Sequence, residues 1–175
     1  MDSDLLQVSI DSVRVSLVSP HRIIVLKDDQ NRFLPILIGP FEEEAIRIAL
    51  QGNQVARPLT HDLLKNVIIE TGATPAYVVV KDLREETFFA SIFLELDGKT
   101  IELDSRPSDA IALAVRVQAP VYVKAAVMER GSIRPSEALG ESVTADEAEK
   151  LEPFRDLLAD LDLDDLGKGE SKKKE

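Results

Sequence analysis

Cysteine is missing altogether from this 175-residue chain. Disulfides and thiolate metal sites are therefore excluded, and any metal has to be held by carboxylates or by the two histidines. The absence fits a reducing compartment, and the expected location is the cytoplasm. Long apolar runs are missing too. The longest, such as residues 33–38 and 110–115, fall far short of the ~20 residues needed to cross a bilayer, and Met1 leads into Asp2 and Asp4 rather than a basic stretch. Neither a membrane span nor a signal peptide is expected. A surplus of basic charge is absent as well: the formal net charge is -11, which argues against the broad positive field of an ordinary nucleic-acid binder. More than half of that excess lies late in the chain. From Glu141 onward there are 6 basic and 12 acidic residues, leaving 15 basic and 20 acidic before it. Any contact with nucleic acid must then come from a local arginine cluster.

What is present suffices for one core, with 44% of the residues hydrophobic. Val8, Ile10, Val13, Val15 and Leu17 alternate with polar residues, with a change of phase at Asp11-Ser12, and predict a strand over 6–18 with a bulge. The segments 21–26 and 32–38 flank Asp28-Asp29-Gln30-Asn31 and predict a hairpin, and Gly39-Pro40 then opens a helix to Gln51. A second helix is predicted from Thr60, its cap, to Glu70. Strands follow at 77–80, 87–96 and 100–104, the last two joined by Asp97-Gly98, and Pro107 starts a helix through 117 with Ser105 or Arg106 as its cap. Residues 120–124 read as a last, edge strand.

Hairpin 22–38 with helix 41–51 resembles hairpin 87–104 with helix 107–117, a weak strand-strand-helix repeat. The expected fold is α+β, helices packed on a mostly antiparallel, or mixed, sheet. Residues 1–135 form the expected domain. A linker and an acidic amphipathic C-terminal helix follow in 136–166, with apolar positions at Leu151, Phe154, Leu157, Leu158 and Leu161, and a disordered charged tail occupies 167–175.

The chemistry concentrates in two polar turns that each open a helix. In the run Arg57 to Asp62, Arg57 and Thr60 can bind an anion beside free backbone N–H groups, and His61 can move a proton with Asp62 next to it. In the run Asp104 to Asp109, Ser105, Arg106 and Ser108 can hold phosphate oxygens, while Asp104 and Asp109 can share Mg or Mn if the turn folds back. Each turn alone also reads as an ordinary helix start, with the acids serving the helix dipole. Arg116 reads as a surface residue near a helix end and His21 as a solvated turn residue.

These two runs, together with Ile38-Gly39-Pro40-Phe41-Glu42 and Thr87-Phe88-Phe89-Ala90, resemble the bifunctional nuclease family over roughly residues 6–135. The resemblance implies a small α+β domain that assembles as a homodimer or other homo-oligomer and hydrolyses phosphodiester bonds of both DNA and RNA; with the two turns, the expectation is a nuclease of low sequence specificity assisted by a divalent metal, Mg or Mn. Carried over, it implies site residues Glu42, Arg57, Thr60, His61, Asp62, Asp104, Ser105, Arg106, Ser108 and Asp109. Among these, His61, Asp62, Asp104 and Asp109 are the expected catalytic residues, and Asp104, Asp109 and Glu42 the expected metal ligands. Two features depart from the family pattern: Glu43 and Glu44 follow Glu42, and the tail is not the UvrB/UvrC-like helical hairpin that some relatives append. The rival expectation is a non-catalytic, oligomeric anion- or nucleotide-binding or regulatory module. Geometry separates the two: solvent-open convergence of His61, Arg57, Arg106 and the aspartates points to an enzyme, and their burial in paired salt bridges points to a structural role.

Overall fold

The computed structural model describes residues 4–15, 21–53 and 55–134. The expected linker, C-terminal helix and tail lie outside the described residues. The elements run β1 (Leu5–Val15), β2 (Arg22–Lys27), β3 (Phe33–Ile38), α1 (Pro40–Leu50), α2 (Thr60–Glu70), β4 (Thr74–Arg84), β5 (Thr87–Leu96), β6 (Lys99–Ser105), α3 (Pro107–Val117), β7 (Val121–Lys124) and α4 (Ala125–Gly131). The fold is α+β.

The strands form one seven-stranded sheet in the order β3-β2-β1-β7-β4-β5-β6. It is a mixed sheet, since β7 pairs antiparallel with β1 but parallel with β4. Here the structure corrects two expectations, a mostly antiparallel sheet and β7 as an edge strand. Strand β7 sits in the middle because the chain crosses over through α3 and returns beside β4. Its proline, Pro120, stands just ahead of the strand and accepts a hydrogen bond from the Val78 amide at 3.1 Å, so no ladder donor is lost within β7.

Local details follow from residue chemistry. The β1 register shifts between Ile10 and Ser12, a bulge at the phase change. Asp97 and Gly98 turn at φ 51° and 72°, the left-handed pair that joins twisted strands in a two-residue hairpin. The β4–β5 turn has the same form but uses Glu85 and Glu86, at φ 45° and 61°. The Asp28 carboxylate organises the β2–β3 turn by accepting hydrogen bonds from the Gln30 and Arg32 amides, both at 2.9 Å, and from Arg32 Nε at 2.7 Å. A hairpin leads into a helix twice, in β2-β3-α1 and β5-β6-α3, as an order of elements. Helix α4 was not foreseen, and just after it Ile133 forms a β-bridge with Phe33.

Among the described residues, all four helices share one core with one side of the sheet. Ile46 of α1, Ile68 of α2, Ile111 and Leu113 of α3 and Met128 of α4 pack with Ile24, Leu34, Val78, Val80 and Ile92. Because strand side chains alternate faces, the intervening residues of the central strands point the other way. Tyr77, Val79, Phe93 and Tyr122 therefore line the opposite face, where a cavity of about 290 Å³ also touches Leu5, Lys81, Glu102 and Lys124.

Candidate active site

Three helix starts meet on the helical side of the sheet, and each carries an acid at its third position. Helix α1 begins after Gly39 with Pro40 first and Glu42 third. The Glu42 carboxylate folds back over Gly39, into the space a Cβ at that position would take, so a larger residue there would displace the Glu42 side chain. Helix α2 begins after Leu59, so Thr60 is its first residue, not its cap, and contributes no capping bond. The end is closed instead by Asp62, which accepts a hydrogen bond from the Leu59 amide at 2.8 Å. Helix α3 begins after Arg106 with Pro107 first and Asp109 third. Acids in the first turn face the positive end of the helix dipole, so each is favoured where it stands.

The side chains of these three turns form a continuous chain of bonds. His61 Nε2 lies 3.0 Å from Asp109 Oδ1. Arg106 forks onto the same carboxylate, with Nε 2.8 Å from Oδ2 and one terminal nitrogen 3.2 Å from Oδ1. That terminal nitrogen also donates to Glu42 Oε1 at 2.6 Å. Exposure grades along the chain: the side chains of His61, Asp109 and Arg106 are 10%, 28% and 65% exposed. Hydrogen bonds to Asp109 and then Glu42 hold the Arg106 guanidinium above its ordinary pKa, so its charge is fixed. Of the expected convergence of His61, Arg57, Arg106 and the aspartates, the structure brings together His61, Arg106 and Asp109, with Glu42 joined to them; His61 is buried, and Arg57 is not bonded to the cluster.

Asp62 turns elsewhere. Its Oδ1 accepts a 2.6 Å bond from Nε of Arg116, and Arg116 also donates to the Ala112 carbonyl at 2.9 Å. Arg116 is not the surface residue expected: its side chain is 5% exposed. Burial alone would raise the Asp62 pKa, but the Leu59 amide and Arg116 outweigh it and hold the carboxyl below its ordinary value. Asp62 and Arg116 are therefore a structural pair, and the carboxylate on His61 belongs to Asp109.

Asp104 is separated from the cluster altogether. It faces Ser91 across the β5–β6 ladder and bonds Lys81 Nζ at 3.0 Å on the far face of the sheet, beside the Tyr77 and Phe93 groove. Strand alternation does this: Asp104 is still in β6, and the chain turns into α3 only after Ser105. The turn does not fold back, so Asp104 and Asp109 do not face one ion. Among the described residues, no three His, Asp or Glu side chains are grouped to hold a metal. Glu42 and Asp109, the two remaining expected ligands, are both held by Arg106.

Of the other expected residues, Ser108 is buried in the first turn of α3. Ser105 Oγ is buried with no hydrogen-bond partner among the described residues. Thr60 is exposed. Arg57 is also exposed, in the loop before α2, with no ion pair among the described residues.

Residues 24–136, more than half of the chain and including every member of this cluster, match the family model described as the bifunctional nuclease domain. The chain belongs to the bifunctional nuclease domain family. An uncharacterized protein of Mycobacterium tuberculosis is 35% identical over 162 residues, spanning 91% of this chain and 97% of that protein. Bifunctional nuclease 1 of Arabidopsis thaliana is 34% identical over 110 residues, 60% of this chain but 34% of the plant protein. Bifunctional nuclease 2 of Oryza sativa subsp. japonica is 27% identical over 153 residues, covering 86% of this chain and 46% of its own length. The similarity to the plant enzymes is thus similarity to a part of each. Among the described residues of this bifunctional nuclease domain, no helix is long and apolar enough to cross a membrane.

Proposed function

We propose that this protein is a nuclease that hydrolyses phosphodiester bonds of both DNA and RNA with low sequence specificity, and that its chemistry runs through His61, Asp109 and Arg106. The observation that carries the reading is the His61–Asp109–Arg106 chain, which sets an imidazole held by a carboxylate beside an exposed guanidinium. The family and the names of the plant relatives add a nuclease as the reaction class.

DNA lacks the 2′-hydroxyl, so an enzyme that cuts both substrates takes water as its nucleophile. With the Nε2 proton of His61 directed at Asp109, Nδ1 is the nitrogen that accepts a proton. Water attacks phosphorus and its proton passes to His61; the bond to one sugar oxygen breaks, and that oxygen leaves with the electron pair and takes the proton from the His61 imidazolium, which returns the ring to its neutral state. Asp109 fixes the ring orientation and stabilises the imidazolium that forms. Arg106 meets the phosphate oxygens, exchanging part of its contact with Glu42 and Asp109 for the incoming anion. Arg57 supplies a second cation from its exposed loop.

Because Asp104 faces the other side of the sheet and Arg106 occupies Glu42 and Asp109, the expected ligand set does not fit a Mg or Mn ion, and no step of this reading uses one. The lack of cysteine suits a reducing compartment, and this reading places the protein in the cytoplasm, working as a homodimer or other homo-oligomer; sedimentation velocity tests the assembly. The test of function is hydrolysis of end-labelled single-stranded DNA and RNA by highly purified full-length protein, with and without EDTA. Cleavage of both substrates that survives EDTA supports the reading as written, loss with EDTA calls for a metal site, and cleavage of neither overturns the nuclease assignment.

A further inference from the structure

The first turn of α1 holds a feature the proton chemistry does not use. Phe41 is 81% exposed, more than any other large hydrophobic residue among those described. A ring of this size in water forgoes the burial that normally places phenylalanine inside. Its position gives the exposure a use. Phe41 directly precedes Glu42, whose carboxylate is bonded to Arg106 at 2.6 Å, so the ring stands one residue from the grip on the cation that meets phosphate. The backbone that carries it is constrained by Pro40 at the head of the helix. An exposed apolar ring one residue along the chain from the carboxylate that holds Arg106, the cation read above as meeting phosphate, offers one surface for each half of a nucleotide, an apolar base and an anion.

We propose that Phe41 is a base-stacking residue, which takes the face of one unpaired base of a strand whose phosphate is held by Arg106. The inference rests on the phosphodiester-cleaving reading of the same site and adds a substrate class to it: single-stranded nucleic acid. Bases in a duplex are already stacked on their neighbours and offer no free face, whereas a single strand does, and stacking on an aromatic side chain tolerates any base. That tolerance agrees with low sequence specificity.

The test separates stacking from cleavage. Binding is read by fluorescence anisotropy with His61→Ala protein, using a labelled single-stranded oligonucleotide and an abasic strand of the same length that keeps every phosphate. Adding Phe41→Ala should weaken binding of the base-bearing strand about 10-fold and leave the abasic strand unchanged, Phe41→Leu should behave like Phe41→Ala, and Phe41→Trp should bind like the parent. Equal loss on both strands, or full retention by Phe41→Leu, overturns the proposal. A shift of Phe41→Ala from oligomer to monomer in sedimentation also overturns it, since the ring is then a subunit contact. Cleavage by the otherwise wild-type protein is scored separately. Strand discrimination without any cleavage leaves stacking standing and sinks the nuclease reading, whereas cleavage with no discrimination does the reverse.

Discussion

His61 Nε2 stands 3.0 Å from Asp109 Oδ1, across 48 positions of sequence, at the point where the first turns of α2 and α3 meet. The bond assigns the carboxylate partner of the imidazole to a different helix from its neighbour in sequence, Asp62. It also divides the acids of the two polar turns into those that face the chemistry and those that do not.

Asp104 is the sharpest case. Its carboxylate bonds Lys81 on the far side of the sheet, so Asp104→Asn should keep nuclease activity within about 2-fold, the scatter usual for a surface change away from such features. Asp109→Asn removes the charge that orients His61 and should cost at least 100-fold in kcat, by analogy with the large loss when the orienting aspartate of a triad is neutralised. Steady-state kinetics of the two variants on one oligonucleotide checks this; equal losses would contradict the placement.

The Asp62–Arg116 pair should matter for stability. Removing Asp62 leaves a guanidinium that is 5% exposed without its partner, so Asp62→Ala should destabilise by about 3 kcal/mol in denaturant unfolding. Replacing both residues, as Asp62→Ala with Arg116→Met, should recover much of that loss. The sign of the pH dependence follows from the lowered Asp62 pKa. A carboxyl held below its ordinary value adds stability above that value and loses it as pH falls through the folded pKa. The gap between wild type and Asp62→Asn should be full at neutral pH and shrink below about pH 4. A gap that is independent of pH down to acid unfolding contradicts the ion pair.

Glu85 and Glu86 join β4 to β5 with positive φ at both positions, a conformation that costs an L-residue with a Cβ roughly 1 kcal/mol or more. Glu86→Gly should therefore raise stability by about 0.5–1 kcal/mol, since glycine adopts φ 61° freely but is also more mobile when unfolded. Thermal unfolding measures it, and a lower midpoint would argue for another turn geometry.

Much of the fold was legible because it is written locally. The helices Thr60–Glu70 and Pro107–Val117 emerge from apolar spacing and from the proline at the head of α3, the β1 bulge from one phase change, and the β5–β6 turn from Asp97-Gly98. What was not legible depends on non-local contacts. Nothing in Val121–Lys124 says that it lies between β1 and β4, because strand order is set by the crossover through α3. The Glu85-Glu86 turn lacks the Asn-Gly or Asp-Gly signal that marks such hairpins. Arg116 reads as a helix-surface residue until Asp62, 54 positions away, is brought against it. The same limit applies at the site. Its residue types were visible in the two turns, but the split into His61, Asp109, Arg106 and Glu42 on one side and Asp104 on the other required knowing that β6 runs through Ser105 before the chain turns.

The central claim is that His61, oriented by Asp109, moves the proton in hydrolysis by water. The most direct test is cleavage of labelled single-stranded RNA and DNA of the same sequence by wild type and His61→Ala, purified in parallel and matched in thermal stability. The account predicts that wild type cuts both and leaves no 2′,3′-cyclic phosphate on RNA, and that His61→Ala loses at least 100-fold on both. Unchanged cleavage by His61→Ala, or RNA cleavage ending in cyclic phosphate with DNA left intact, would contradict it.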